Sequence, residues 1–130
     1  MEAFRKAAEA RDAAALEALL ADDVVFSSPV AHKPYPGKPL TAAILRAVLR
    51  VFENFSYVKE ISEPGGRDSA LVFRATVGDK EINGCDFIHL NDHGLIDDLT
   101  VMVRPLSGAN ALAEAMGAEF DRIRREATGG

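Results

Sequence analysis

The chain has 130 residues, 48% of them hydrophobic, which fits one folded domain over residues 1–130 with a sizeable core. Fifteen basic residues against twenty acidic ones give a formal net charge of -5, which argues against nucleic acid or an anionic membrane as a partner. One Cys excludes an internal disulfide framework, and no apolar run is long enough to span a bilayer. We therefore expect a soluble, cytoplasmic protein whose partner is a small hydrophobic or weakly polar ligand.

The first third of the chain predicts short helices, one strand and a proline-rich loop. Residues 2–20 are rich in Ala, Leu, Glu and Arg, which favour helix, and Asp12 can break this segment or cap a second helix. Residues 23–28 follow as a short strand, which Pro29 stops. Residues 29–39 carry four of the six prolines and predict a stiff, ordered loop.

The next segment, residues 41–52, predicts a helix that packs by one apolar stripe. Thr41 can cap its N-terminus. Five apolar side chains recur at helical spacing: Ile44, Leu45, Val48, Leu49 and Phe52. Arg46, Arg50 and Glu53 are expected to face water.

Beyond Asn54 the apolar period changes to two, which predicts an antiparallel meander. Its strands are expected at residues 56–62, 69–77, 81–90 and 95–104. A last helix, residues 110–125, has an apolar side made of Leu112, Met116, Phe120 and Ile123. Arg122, Arg124 and Arg125 lie near its C-terminal end, where they complement the helix dipole.

This order of elements predicts an α+β layer fold, in which a curved sheet buries one face on the helices and leaves a conical interior with a mouth. Apolar residues occur on both faces of several strands, so something should cover the outer face as well. A second copy of the chain is the simplest cover, and we expect a homodimer.

Asp86 is the one carboxylate placed on an apolar strand face. Side chains alternate across a strand, so Asp86 shares its face with Ile82, Gly84, Ile88 and Leu90. An ionised carboxylate there is costly, so Asp86 should either find hydrogen-bond donors or keep its proton above the usual pKa.

Three local strings resemble the nuclear transport factor 2-like superfamily, which includes SnoaL-like polyketide cyclases, limonene epoxide hydrolase and ketosteroid isomerases. They are LLADDVVFSSPV, YPGKP before a helix, and DFIHLNDHGLI. The resemblance covers residues 4–106. It implies a cone-shaped α+β fold, also called cystatin-like, in which a curved antiparallel sheet wraps on N-terminal helices, here with an extra C-terminal helix.

Carried over residue by residue, the resemblance places Asp86 on the oxyanion-hole acid of the ketosteroid isomerases, an acid kept neutral by an apolar site. The general-base aspartate of that family is replaced by Ser28, and the oxyanion tyrosine by Phe4. The late acid of the cyclases is replaced by Met102 and Val103, and the Arg–Asp pair of the epoxide hydrolase is matched only by Arg74, followed by Thr76. None of these mechanisms transfers intact.

An acid–base enzyme needs a second titratable group across the pocket from the first. The candidates are His32 and Tyr35 in the proline-rich loop and Asp98 on the last strand. The alternatives are that His32 is a solvated loop histidine and that Asp98 forms a surface ion pair. Asp98 shares its alternating face with Thr100, Met102 and Arg104, and an inward-facing Asp98 or Arg104 would give the pocket polarity.

A metal site is not expected, because His89, Asp92 and His93 span a turn and offer only two imidazoles. Cys85 lies on the strand face opposite Asp86 and resembles a small buried hydrophobe.

The resemblance, together with these residues, implies a small-molecule pocket with isomerase, cyclase or hydratase chemistry on an apolar, carbonyl-bearing substrate, without a cofactor. Asp86 would donate a hydrogen bond to the developing oxyanion, and His32 or Asp98 would move the proton. The predicted substrate contacts are Phe4, Ser28, Tyr35, Phe52, Met102 and Arg104. The alternative is a non-catalytic ligand-binding or protein-interaction module of the same fold.

Overall fold

The computed structural model describes residues 1–129, which form four helices and six strands. The helices are α1 (Glu2–Glu9), α2 (Ala13–Ala18), α3 (Lys38–Val51) and α4 (Leu106–Ala127). The strands are β1 (Leu20–Ser27), β2 (Tyr35–Pro36), β3 (Glu53–Ser62), β4 (Asp68–Val77), β5 (Lys80–Leu90) and β6 (Ile96–Arg104). The predicted α+β class, with a curved sheet, N-terminal helices and a C-terminal helix, is confirmed.

The six strands form one curved, unclosed sheet in the order β2-β1-β6-β5-β4-β3. The predicted meander is present, because β3, β4, β5 and β6 pair as antiparallel neighbours. One pairing differs from the antiparallel expectation: β1 runs parallel to β6. Parallel neighbours need a long crossover, and here α3 and the meander supply it.

The N-terminal helices are separated where Asp12 interrupts the first one. The Asp12 side chain accepts a hydrogen bond from the backbone N–H of Ala15 at 3.1 Å and so caps α2. The Arg11 guanidinium donates to the backbone carbonyls of Leu49 and Phe52 at the C-terminus of α3. This contact ties the α1–α2 turn to the third helix.

Helix α3 begins three residues earlier than the sequence predicts, and Thr41 does not cap it. Gly37 is the N-cap, with a φ of 95° that favours glycine, and Pro39 lies in the first turn. Thr41 lies one turn inside the helix and is fully buried. The reason is that the proline-rich loop already directs the chain into the helix before Thr41 is reached.

The expectation that Arg46 and Arg50 face water is also wrong. Both side chains are half-buried between α3 and α4. Arg46 donates to Glu126 at 2.6 Å, and Arg50 donates to Glu119 at 2.6 Å. The C-terminal helix packs on α3 and covers the polar side that the sequence assigned to solvent.

The concave face of the sheet carries the core. Its fully buried members include Leu71, Phe73, Ile82, Ile88 and Leu99. Gly84 lies opposite Phe73 in the β4–β5 register, and an added Cβ at Gly84 would lie 2.1 Å from the Phe73 ring. The glycine therefore makes room for the aromatic ring on the concave face.

Helix α4 begins at Leu106, four residues before the predicted start, and ends at Ala127. Its last turn carries Arg124 and Arg125, as predicted. No helix within residues 1–129 combines the length and the apolarity that a membrane crossing requires.

Candidate functional site

A cavity of about 280 Å³ lies between the concave face of the sheet, helices α1, α3 and α4, and the proline-rich loop. Most of the lining is aliphatic or aromatic. The side chains that bring polar groups to the lining are Arg11, Ser28, Tyr35, Tyr57 and Asp86. An apolar cavity with a few convergent polar groups is the usual form of a small-molecule site.

Asp86 and Tyr57 form a buried pair in this cavity. Asp86 projects from β5 onto the concave face and is only 7% exposed. Tyr57 projects from β3, which is separated from β5 by β4. The Tyr57 hydroxyl donates to Oδ2 of Asp86 at 2.6 Å. The curvature of the sheet thus brings together two groups from strands that are not neighbours.

Burial sets the charge of this pair. It raises the pKa of Asp86 from 3.8 to about 7, and the hydrogen bond from Tyr57 opposes part of that rise. Burial, followed by the charge of Asp86, raises the pKa of Tyr57 above its ordinary value, so the phenol keeps its proton. Because Oδ2 accepts from Tyr57, the proton of a neutral Asp86 is left for Oδ1. A neutral carboxyl group in this position can donate to a ligand oxygen.

Aromatic rings hold the Tyr57 side chain in place. Phe55 meets the Tyr57 ring edge-on, with ring centroids 4.9 Å apart, and Phe73 meets it edge-on at 6.3 Å. Phe52 packs on Phe73 at 5.6 Å. Such contacts favour one ring orientation and exclude water, which strengthens a hydrogen bond in a low-dielectric site.

Five of the predicted site residues line the cavity: Phe4, Ser28, Tyr35, Phe52 and Asp86. Ser28 occupies the position of the isomerase base. Its Oγ accepts a hydrogen bond from the backbone N–H of Val30 at 3.1 Å and shapes the loop. A serine hydroxyl in such a turn is not a general base.

Asp98, Met102 and Arg104 lie on the outer face of β6, so the structure does not place them in the cavity. The β5–β6 register pairs Val101 with Asp86, and Val101 lines the cavity. Since side chains alternate along a strand, Asp98, Met102 and Arg104 point the other way. Asp98 accepts from the Thr100 hydroxyl at 3.2 Å, outside the pocket.

His32 is exposed on the proline-rich loop and is not part of the cavity lining, although its neighbour Ala31 is. Within residues 1–129, the lining contains one carboxyl group, that of Asp86. The structure therefore brings Asp86 together with Tyr35 and Ser28, and leaves the two predicted proton-transfer residues outside.

Tyr57 is not among the site residues predicted from the sequence. Its signal was weak: Phe55 and Tyr57 alternate on one face, but most of the following β3 residues are exposed, so the strand lacks a continuous apolar face. The resemblance places the isomerase tyrosine at Phe4. Here the phenol that contacts the acid comes from a strand instead of the first helix.

Metal ligands are not gathered at the pocket. No group of three or more His, Cys, Asp or Glu side chains in the described part of the chain could hold an ion. His89 contacts Asp97 at 2.6 Å on the outside of the sheet, where the Asp97 hydrogen bond raises the pKa of the exposed imidazole. Cys85 is half-buried on the outer face, and burial raises the pKa of its thiol.

The Tyr57→Phe substitution should raise the pKa of Asp86 above about 7. It removes the hydrogen-bond donor that opposes the effect of burial, while it keeps the ring that packs on Phe55. The measurement is an NMR titration of the Asp86 side-chain carbonyl carbon in both proteins. Tyr35→Phe, which removes the other tyrosine hydroxyl of the pocket, is the control and should not move this pKa. A lower Asp86 pKa in Tyr57→Phe would contradict the assignment.

Comparisons with known proteins agree with this architecture. A model of the SnoaL-like domain family matches residues 1–99. The chain is 44% identical to a steroid delta-isomerase from Pseudomonas aeruginosa, over 92% of this chain and 87% of that one, with a TM-score of 0.87. It is 35% identical to a protein with a cystatin-like fold from Silicibacter pomeroyi, over 96% and 92% of the two chains, with a TM-score of 0.86.

An NTF2-like protein from Cytophaga hutchinsonii shares the fold alone, at 22% identity over 82% of this chain and 88% of that one, with a TM-score of 0.63. No curated protein matches the sequence. The family match covers most of the chain, and the resemblance to the superfamily is confirmed. The chain belongs to the SnoaL-like domain family, within the nuclear transport factor 2-like superfamily.

Proposed function

We propose that the protein binds an apolar, carbonyl-bearing small molecule and catalyses an isomerase-type proton transfer on it. The observation that carries this proposal is the Asp86–Tyr57 pair. Both side chains are buried in an apolar cavity, and the Tyr57 hydroxyl lies 2.6 Å from Oδ2 of Asp86. A neutral carboxyl group with its Oδ2 bonded to Tyr57 directs its own proton toward a ligand oxygen. The ligand's apolar body would fill the remaining, largely hydrophobic lining.

The proposed chemistry is the movement of a double bond next to a carbonyl group. A proton leaves the carbon beside the carbonyl, the oxygen gains negative charge, and a proton returns at the far end of the conjugated system. Asp86 donates a hydrogen bond that strengthens as this charge develops, because water is excluded from the site. The 44% identity to the steroid delta-isomerase supports a steroid-like substrate class.

Turnover of a β,γ-unsaturated ketone, including a steroid ketone, tests the proposal. The conjugated product absorbs in the ultraviolet, so its formation can be followed directly. Asp86→Ala should lower kcat by about 10²–10³-fold, the usual effect of removing one oxyanion donor. Asp86→Asn keeps a donor and should retain more activity. Equal rates in all three proteins would overturn the assignment of Asp86.

For the proton acceptor we propose His32, because histidine is the residue that most often carries out this step and the adjacent residue, Ala31, lines the cavity. His32→Gln should lower kcat by about 10²-fold and leave the affinity for a naphthol, which mimics the enolate, unchanged. Lys33→Gln, next to it on the same exposed loop, is the matched control. Unchanged turnover in His32→Gln would assign the proton transfer to another group.

A non-catalytic ligand-binding role is the second candidate function. It is favoured by the single carboxyl group of the cavity lining within residues 1–129, since acid–base catalysis usually needs two groups. In that case naphthol would bind with an affinity that depends on the ionisation of Asp86, and no unsaturated ketone would turn over. Binding and turnover measured on one preparation separate the two functions.

We also propose that the outer face of the sheet is covered by a second copy of the chain. Ile61, Phe87 and Met102 on this face are 57%, 42% and 58% exposed, which is unusual for apolar side chains of this size. Light scattering at micromolar concentration should give a dimer mass. Met102→Lys should shift the mass toward the monomer, whereas Ala118→Lys, on an exposed helix position, should not. A monomer mass for the unmodified protein would refute this.

A further inference from the structure

We propose that helix α4 determines which ligands the pocket accepts, and that Ala113 and Gly117 set the size limit. This inference deepens the proposed function and rests on it for the position of the ligand's polar group at Asp86. The family model matches residues 1–99, so α4 lies outside the segment that this model matches. The size limit is therefore a property of the part of this chain that follows the matched domain.

Helix α4 supplies a whole wall of the cavity. Its lining residues are Leu112, Ala113, Met116, Gly117, Phe120 and Ile123. They recur at helical spacing, so one continuous side of the helix faces the cavity. Leu112 and Ile123 are buried, whereas Ala113, Gly117 and Phe120 line the cavity and are also exposed to solvent. A ligand in the pocket must lie against this side of the helix.

The wall is fixed in position by contacts along its length. Near its N-terminus, Gly108 packs so closely on β5 that an added Cβ would lie 2.5 Å from Ile82. Farther along, Glu119 and Glu126 accept hydrogen bonds from α3 at 2.6 Å each. These contacts join α4 to both the sheet and α3. Its lining side chains can therefore act as a stable limit on ligand shape.

Ala113 and Gly117 are the two smallest residues of this wall, so the wall leaves most space beside them. They lie one helical turn apart, and the larger Met116 and Phe120 line the same wall. A Cβ added at Gly117 would meet nothing within 4 Å, so there is empty space over this residue. Glycine inside a helix costs about 1 kcal/mol relative to alanine, and neither close packing nor a positive φ requires it here. What the glycine provides is room beside the cavity.

Because the cavity is small, the space beside Ala113 and Gly117 should affect which ligands fit. Its volume of about 280 Å³ is close to the lower end of the range for small-molecule pockets, roughly 300–1,000 Å³. A ligand of one ring leaves much of this volume empty. A ligand of three fused rings fills most of it and so contacts the α4 wall, including Ala113 and Gly117. Larger side chains at these two positions should therefore exclude long ligands and spare short ones.

The test uses two hydrocarbons, toluene and phenanthrene, as probes of size. Gly117→Phe and Ala113→Phe should each weaken phenanthrene binding at least tenfold and change toluene binding less than twofold. Ala118→Phe makes the same substitution at an adjacent exposed residue outside the lining, and it should change neither. Thermal unfolding checks that each variant is folded, and Gly117→Leu replaces any Phe variant that does not fold.

Unweakened phenanthrene binding, equal weakening of both probes, or the same effect in Ala118→Phe would overturn the inference. Neither probe has an oxygen atom, so their binding does not depend on a hydrogen bond from Asp86. The toluene and phenanthrene measurements can therefore fail while the Asp86 tests succeed, and the Asp86 tests can fail while these measurements succeed. Failure of the size series would reject α4 as the determinant, and failure of the ketone assay would reject the proposed chemistry.

Discussion

Asp86→Asn should stabilise the protein at pH 8 by up to about 4 kcal/mol and leave its stability at pH 3 almost unchanged. Burial raises the pKa of Asp86 from an ordinary 3.8 to about 7, and each pKa unit corresponds to about 1.4 kcal/mol. Asparagine has the shape of the neutral acid, accepts from Tyr57 through its oxygen and keeps a donor for the ligand. It therefore removes only the cost of the buried charge.

The direction of this stability change follows from proton binding to Asp86. The folded state binds the Asp86 proton more tightly than the unfolded chain does, so the group lowers stability as pH rises above about 4. The loss grows up to about pH 7 and levels off above it. Below about pH 4 both states are protonated, and the contribution vanishes. The unmodified protein should thus lose stability from this group between pH 4 and 7.

Urea unfolding at a series of pH values measures this difference. Asp98→Asn is the matched control, because it makes the same charge change on the exposed outer face. It should alter stability by no more than about 0.5 kcal/mol. If Asp86→Asn destabilises the protein at pH 8, then Asp86 is an ionised structural anchor for Tyr57, and the hydrogen-bond donor role should be abandoned.

Gly84→Ala should destabilise the protein by about 1–3 kcal/mol, or prevent folding, although it adds one methyl group. The new Cβ would lie 2.1 Å from Cζ of Phe73, and the ring is fully buried among other aromatic rings. Either the ring or strand β5 must move. Because Asp86 lies two residues along the same strand, the substitution should also disturb the Asp86–Tyr57 pair.

Chemical denaturation of Gly84→Ala and of Gly84→Ala with Phe73→Leu measures the effect. The smaller leucine should relieve the clash, so the double variant should be more stable than the sum of the two single effects predicts. Gly117→Ala is the control, since its Cβ meets nothing and alanine favours helix, and it should gain up to about 1 kcal/mol. Additive effects of Gly84→Ala and Phe73→Leu would show that the ring is not the cause.

The two predictions address different parts of the site. Asp86→Asn tests whether the acid is neutral, as hydrogen-bond donation to a ligand oxygen requires. Gly84→Ala tests whether the aromatic packing behind Tyr57 is tight enough to hold the phenol on the acid. If Asp86→Asn is more stable than the unmodified protein and Gly84→Ala is less stable, the site is rigid and apolar and its acid is neutral.

Local sequence patterns were enough to locate most helices and strands and the buried position of Asp86. The change from helical spacing to a period of two located the meander, and alternation along residues 81–90 placed Asp86 on the buried face. Asp12 was identified as a helix cap from its residue type and position. Each of these inferences depends on neighbours within a few residues, and such local patterns can be read from the chain.

Which side chains contact each other in the cavity depends on the three-dimensional packing of distant segments. Tyr57 contacts Asp86 across an intervening strand because the sheet is curved, and no local pattern encodes that curvature. The faces of the last strand depend on a register shift between His89 and Leu90, which leaves Asp98 outside and Val101 inside. The polar sides of α3 and α4 likewise became an interface because the two helices pack together. Long-range pairing and packing set these contacts, so residues far apart in the chain jointly determine the site.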